Sequence, residues 1–195
     1  MASCIGEIAK NIAFNCESPL ENGYTGRGVL IPMSASPAFT FNADNPRIIS
    51  AIGLDASAKV CSIDNEGVDP FSSSATTGNN DAGFVKFTKT LQVRIMQRGA
   101  EFAKDLIEPL IKSGQGFVAV LEKVDKAGDG SYEVLGAYKP LKVTDPATVT
   151  RNEYENGGAW MATLQTSEVY SEVVLFDTDY ATTKTMFEAL LAKQF

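Results

Sequence analysis

Three rhythms follow one another between Phe84 and Val124, and they restrict the fold more than any other stretch. Val85, Phe87, Leu91, Val93 and Ile95 stand on one parity, and Lys86, Thr88, Thr90, Gln92 and Arg94 on the other. A period of two sends alternate side chains to opposite faces. The stretch therefore predicts a long strand with one face on a core and one in water or against a partner. Ala100, Ala103, Leu106, Ile107, Leu110 and Ile111 then recur at spacings of three and four, opposite Glu101, Lys104, Asp105, Glu108 and Lys112. That pattern predicts an amphipathic helix. Ser113 and Gly114 are expected to close it through the left-handed freedom of glycine. Pro109 lacks a backbone donor and crowds the carbonyl one turn back, so a kink or loosening is expected at 105–108. After Gly116 the run Phe117-Val118-Ala119-Val120-Leu121 is apolar on both parities, which suits a strand covered on both faces.

Around this strand–helix–strand unit the remaining elements read as short strands. Residues 29–32, 38–42, 47–52 and 58–63 are apolar runs, and the turn-rich Asn42-Ala43-Asp44-Asn45-Pro46 predicts a hairpin between the second and third. Pro32 is expected to end the first or place it at an edge, and the glycine-dense 21–28 before it reads as a turn or loop. Residues 117–138 form a predicted hairpin around the turn at 125–130. Strands are expected at 141–144, 159–166 and 168–176, the second carrying Trp160, Ala162 and Leu164 on one parity. A C-terminal helix starts near Asp177 and Asp179, whose carboxylates suit a helix N-terminus, and shows an apolar stripe of Phe187, Leu190 and Leu191. The expected architecture is mainly β with α, roughly eight to ten strands and two helices, in one domain spanning 1–195.

Residues 64–83 hold few apolar anchors and read as one long loop. Loops beyond about 12–15 residues inside a compact domain are uncommon. Two readings stand side by side: a plain surface loop, or an arm that orders against another chain. In the second, Asp69, Pro70, Phe71, Ser72, Thr76 and Asn79 are the candidate inter-subunit contacts.

Composition removes much of enzymology. The chain has no histidine, which excludes Ser-His-Asp and Cys-His catalysis, His-ligated zinc and the usual general base near neutral pH. Gly23, Gly26 and Gly28 match no phosphate fingerprint, and no cysteine pair has zinc spacing. The turn at Asp125 resembles the start of a calcium loop, but Ala127 and Gly136 stand where ligands are required. The expectation is no catalytic residue, no metal and no cofactor. Asp177 and Asp179 could pose as a carboxylate pair, yet helix capping accounts for them. Trp160, Tyr132 and Tyr138 could line a small-molecule or glycan pocket, or they could pack a core.

Seventeen basic against twenty-four acidic residues give a net charge of −7 without a basic cluster, which argues against tightly held nucleic acid. No stretch approaches the roughly 18 apolar residues of a membrane helix. Residues 1–7 lack the marks of a secretion signal, so Cys4, Cys16 and Cys61 are expected to be reduced thiols of a product made in a cytoplasm.

Two stretches carry a family resemblance. Asn11-Ile12-Ala13-Phe14-Asn15-Cys16 through Gly28-Val29-Leu30-Ile31 resembles the opening of virion structural proteins from tailed phages of Bacteroidetes hosts, and Leu175-Phe176-Asp177-Thr178-Asp179-Tyr180-Ala181-Thr182-Thr183 is similar to their ending. The order of sheet, long loop, helix and sheet is similar to that of phage tail tube proteins. The resemblance implies a tail-tube-like fold, a β-sandwich or partly closed barrel with a flanking helix, and a non-enzymatic subunit of the virion tail, made in the bacterial host cytoplasm. Such subunits form rings, commonly hexamers, whose inner sheets join into a channel for DNA and which stack into a tube. Its partners would be itself and other tail proteins, with DNA only as transient cargo and no membrane. The segment 64–83 would match the loop that reaches a neighbouring subunit or ring, and an acidic lumen would keep DNA from sticking. Neck, adaptor and head–tail connector proteins of related fold are the alternatives within the virion.

Overall fold

The computed structural model describes residues 23–64, 71, 74–81, 84–126, 128–151 and 157–195. In chain order it contains β1 (Tyr24–Pro32), a 3-10 turn (Met33–Ala35), β2 (Ala38–Phe41), β3 (Ile48–Gly53), β4 (Cys61–Asp64), β5 (Ala75–Asp81) and β6 (Phe84–Ile95). A helix at 100–112 follows, made of α1 (Ala100–Phe102), a π-helical turn (Ala103–Ile107) and α2 (Glu108–Lys112). Then come β7 (Phe117–Lys123), β8 (Tyr132–Leu135), a 3-10 turn (Pro146–Thr148), β9 (Val149–Arg151), β10 (Trp160–Glu168), β11 (Val174–Leu175) and α3 (Tyr180–Leu191).

The strands form two sheets. One has seven strands in the order β2-β3-β11-β8-β7-β1-β4, antiparallel except for the β3–β11 pair. The other has four, β5-β6-β10-β9, all antiparallel. Leu91, Val93 and Ile95 of β6 and Ala162 and Leu164 of β10 meet Leu30, Ala119 and Leu121 of the first sheet in one buried cluster. A second cluster lies on the other face of the seven-stranded sheet, where Val29, Ile31, Val118, Val120, Tyr132 and Val134 meet Phe187 and Leu190 of α3. The protein is thus a mainly β sandwich with a flanking C-terminal helix, mainly β as the sequence pattern predicts and a sandwich as the resemblance implies.

The two clusters explain the continuous apolar run. β7 sits between β1 and β8 with the four-stranded sheet on one face and α3 on the other, so both parities are buried. β6 borders one core only, and its alternation survives. Leu141 and Lys142 then stitch the sheets together at one side. Leu141 exchanges two backbone hydrogen bonds with Phe117 of β7 (2.8 and 2.9 Å), and Lys142 exchanges two with Gln165 of β10 (2.8 and 3.0 Å). The sandwich is closed there and open at the other side.

Pro109 acts where it was expected to. The Glu108 N–H reaches back five residues to the Ala103 carbonyl, and the wider π turn gives the proline ring room beside the Asp105 carbonyl it would otherwise crowd. Other expectations need correction. Helix closure falls to Ser113, which leaves in an extended conformation, and Gly116 holds the positive φ of 85° in place of Gly114. A Cβ on Gly116 would lie 2.4 Å from the Leu141 carbonyl oxygen, so the crossing at Leu141 demands glycine there. The glycine-dense stretch before Val29 is already strand: β1 starts at Tyr24 and lies inside the sheet. Gly28 is needed because a side chain would meet Leu121 at 2.9 Å and Phe71 at 3.2 Å. The strand expected over 132–138 stops at Leu135, where Gly136 takes φ 89° and turns the chain toward the crossing. The strand expected over 168–176 resolves into the end of β10 and the two-residue β11, and β9 was not foreseen.

The largest correction concerns 64–83. Within it, Ala75–Asp81 is a strand, paired with β6 from Ala75 opposite Thr90 to Asp81 opposite Phe84. Short polar side chains hid it from a search for apolar alternation, since β5 lies at a sheet edge. Phe71, one of the candidate inter-subunit contacts, is only 2% exposed and packs in the sandwich interior, edge-on to Tyr24 at 5.6 Å. Phe71→Ala should therefore reduce unfolding free energy by about 3–5 kcal/mol, the usual cost of emptying a phenylalanine site. Chemical denaturation of the two proteins measures it, and an unchanged midpoint would return Phe71 to the surface.

Candidate assembly interface

Both sheets end in strands with one strand neighbour each among the described residues, β2 and β4 in the larger and β5 and β9 in the smaller. Among the described residues β5 pairs only with β6 and β9 only with β10. Each edge leaves a row of backbone donors and acceptors available to another chain. Of the six contact residues proposed from sequence, Thr76 and Asn79 stand exposed on the β5 edge. Thr76 faces Lys89 and Asn79 faces Lys86 across the ladder, so they point to opposite faces. Phe71 belongs to the core, as above. Asp69, Pro70 and Ser72 lie outside the described residues.

The outward face of this sheet is built from hydroxyls and amides. Thr88, Thr90 and Gln92 of β6 stand opposite Ser167, Gln165 and Thr163 of β10, with Thr77 and Asn79 alongside on β5. Gln165 links the strands: its Nε2 donates to Thr90 Oγ1 at 3.3 Å, and its Oε1 accepts from Thr144 Oγ1 at 3.4 Å. Along β5, β6 and β10 this face carries no titratable side chain between Lys86 and Arg94. A half-exposed surface of this kind neither attracts nor repels a polyanion strongly.

Its inward face holds what the sequence reading overlooked. Lys89 occupies the core parity of β6, where its side chain and that of Glu168 on β10 are both 0% exposed. Their charged atoms lie 2.7 Å apart, although outside good hydrogen-bond alignment. The other oxygen of Glu168 accepts the Tyr138 N–H at 3.0 Å and the Lys139 N–H at 3.5 Å, tying β10 to the turn after β8. The signal was legible: Lys89 interrupts an otherwise apolar parity, and Glu168 continues the parity of Trp160, Ala162 and Leu164. A second polar network sits on the α3 side of the large sheet. Glu122 accepts from Thr25 Oγ1 at 2.9 Å and Lys126 Nζ at 2.9 Å, and Arg27 bridges it to Glu188 of α3. Burial opposes ionisation of Glu122, but Lys126, Thr25 and Arg27 outweigh it and hold its carboxyl below the usual range.

The remaining candidates separate in space. Trp160 borders the sandwich interior, Tyr132 is fully buried beneath α3, and Tyr138 is exposed beside Phe41 and Tyr170. They form no common pocket. Asp179 caps α3, accepting the Thr182 N–H at 2.8 Å, while the Asp177 N–H is taken by Thr183 Oγ1. Among the described residues no three His, Cys, Asp or Glu side chains come close enough to hold a metal. No described helix is long and apolar enough to cross a membrane. Comparison of the chain with protein-family models, curated proteins and solved structures found no match.

Removing one partner of a buried ion pair strands the other charge, so Lys89→Met should cost about 3–5 kcal/mol, whereas Lys89→Met with Glu168→Leu should recover most of the loss. Thermal and denaturant unfolding of the single and double variants measure this. A single variant as stable as the parent would show that the pair is not buried in solution.

Proposed function

We propose that this chain is a non-enzymatic virion structural protein, the tail tube subunit of a tailed phage, which assembles into stacked rings around a channel for DNA. The observation that supports this most is the four-stranded sheet, polar and uncharged along its outer middle and ending in β5 on one side and, beside the Lys142–Gln165 stitch, in the short β9 on the other. Joining β5 of one copy to β9 of the next would satisfy both edges at once and continue the sheet around a ring. The outer faces would then line a common surface of threonine, glutamine, serine and asparagine. Six-fold symmetry follows from the family resemblance alone.

Such a lining differs from the acidic lumen that the resemblance implies. Along its middle the face is neutral, so free passage of DNA would rest on the lack of clustered cations more than on repulsion. The carboxylates of the −7 chain include Glu108 and Glu172, exposed elsewhere on the fold. The protein's place would be the phage tail, with other tail proteins capping or extending the polymer. The segment within 64–83 would serve assembly through its strand and not as a free arm.

Negative-stain electron microscopy and light scattering across a concentration series test the reading. Rings or tubes with a central channel are expected, and monomers at every concentration would contradict it.

A further inference from the structure

The two ends of β6 differ in a way that fits them to each other. At its start Val85 is 56% exposed and Lys86 stands in solvent. Val169, 64% exposed, follows Glu168, which faces Phe87 in the ladder, so it emerges at the same end. Exposed Lys139 is tied there through the Glu168 carboxylate. At the far end of this twelve-residue strand, roughly 36 Å away at about 3.3 Å per residue, a cleft opens between β4, the end of β6 and the helix at 100–112. It holds about 730 Å³. Val93, Phe102, Leu106 and the half-buried Cys61 line it, and Met96 stands 50% exposed at its mouth. Asp64 and Asp105 sit on its rim, both exposed, while Arg94 on its wall is already engaged within the subunit.

We infer that the end of one copy bearing Val85 and Val169 docks in this cleft of the next copy, with Lys86 and Lys139 meeting the rim carboxylates Asp64 and Asp105. Apolar surface and charge complement each other across the contact. The two surfaces lie at opposite ends of one strand, so the contact is head-to-tail and repeats along β6 without closing. It is an axial contact between layers, distinct from the lateral joining of β5 to β9. The inference rests on the reading of the chain as a self-assembling subunit and adds to it the surface through which layers stack.

Cys61 inside the cleft provides the test. In a Cys4→Ser, Cys16→Ser background, Val85→Cys places one thiol at each end of the contact. Oxidation of the assembled protein with diamide should then give a ladder of disulfide-linked multimers on non-reducing gels. The same chain with Cys61→Ser should run as a monomer, because the introduced thiol then meets no partner across the contact. A second arm uses charge: Lys86→Glu should raise the concentration needed for assembly roughly tenfold, and adding Asp105→Lys should restore it. Circular dichroism checks that each variant is folded. Rings or tubes that form without a ladder and ignore the charge reversals would overturn the axial docking and leave the assembly reading intact. A protein that stays monomeric in the parent background would overturn both.

Discussion

Burial of the β1–β7 pair on both faces is the constraint from which the rest of the molecule follows. Val29, Ile31, Val118 and Val120 need α3 above them, while Leu30, Ala119 and Leu121 need the four-stranded sheet below. Three layers are therefore obligatory, and the polar groups brought between them must be satisfied. The Arg27–Glu122–Lys126 network does this where α3 meets the sheet, and Lys89–Glu168 does it inside the sandwich. Buried pairs of this kind add little net stability, because desolvation offsets attraction. What the Lys89–Glu168 pair adds is a link between β6, β10 and the turn at Tyr138–Lys139, which fixes how the smaller sheet sits on the larger.

That arrangement leaves an asymmetric molecule. The large sheet is covered on both faces and stitched to its partner at Leu141 and Lys142. The small sheet has a polar face, neutral along its middle, and like the large one ends in two strands that have one described strand neighbour each. An isolated soluble protein usually blunts such edges with charge, proline or a covering loop. Here β5 reads Ala-Thr-Thr-Gly-Asn-Asn-Asp and β9 reads Val-Thr-Arg, with little to discourage pairing along most of either edge. In the proposed assembly these edges join neighbouring copies, and the exposed face would be the surface past which a polyanion slides.

The sequence disclosed those parts of the fold in which one face is buried and the other wet, or both are buried over a continuous run. β6, β7, the helix at 100–112 and α3 were legible for that reason, and Pro109 marked the loosening that the structure takes up as a π turn. Edge strands were not. β5 has threonine, glycine and asparagine where a buried strand would have valine or isoleucine, and its polarity looked like a loop. Phe71 was misplaced by its neighbours in sequence, because one aromatic residue in a serine-rich run gives no periodicity to read. The crossing at Leu141 depends on Gly116 and Gly136 approaching another backbone closely, which spacing alone does not reveal. The Lys89–Glu168 pair is written in the parity of both strands, each charge standing in an otherwise mostly apolar stripe that gives no sign of its partner.

The central claim is that the edges of the four-stranded sheet join copies of this chain. Hydrogen–deuterium exchange, compared between monomer and assembled protein, tests it at the residues concerned. Amides on the outer edges of β5 and β9 should exchange quickly in the monomer and become protected on assembly, with β7 protected in both. A polymer in which those edge amides stay as fast as in the monomer would contradict the claim.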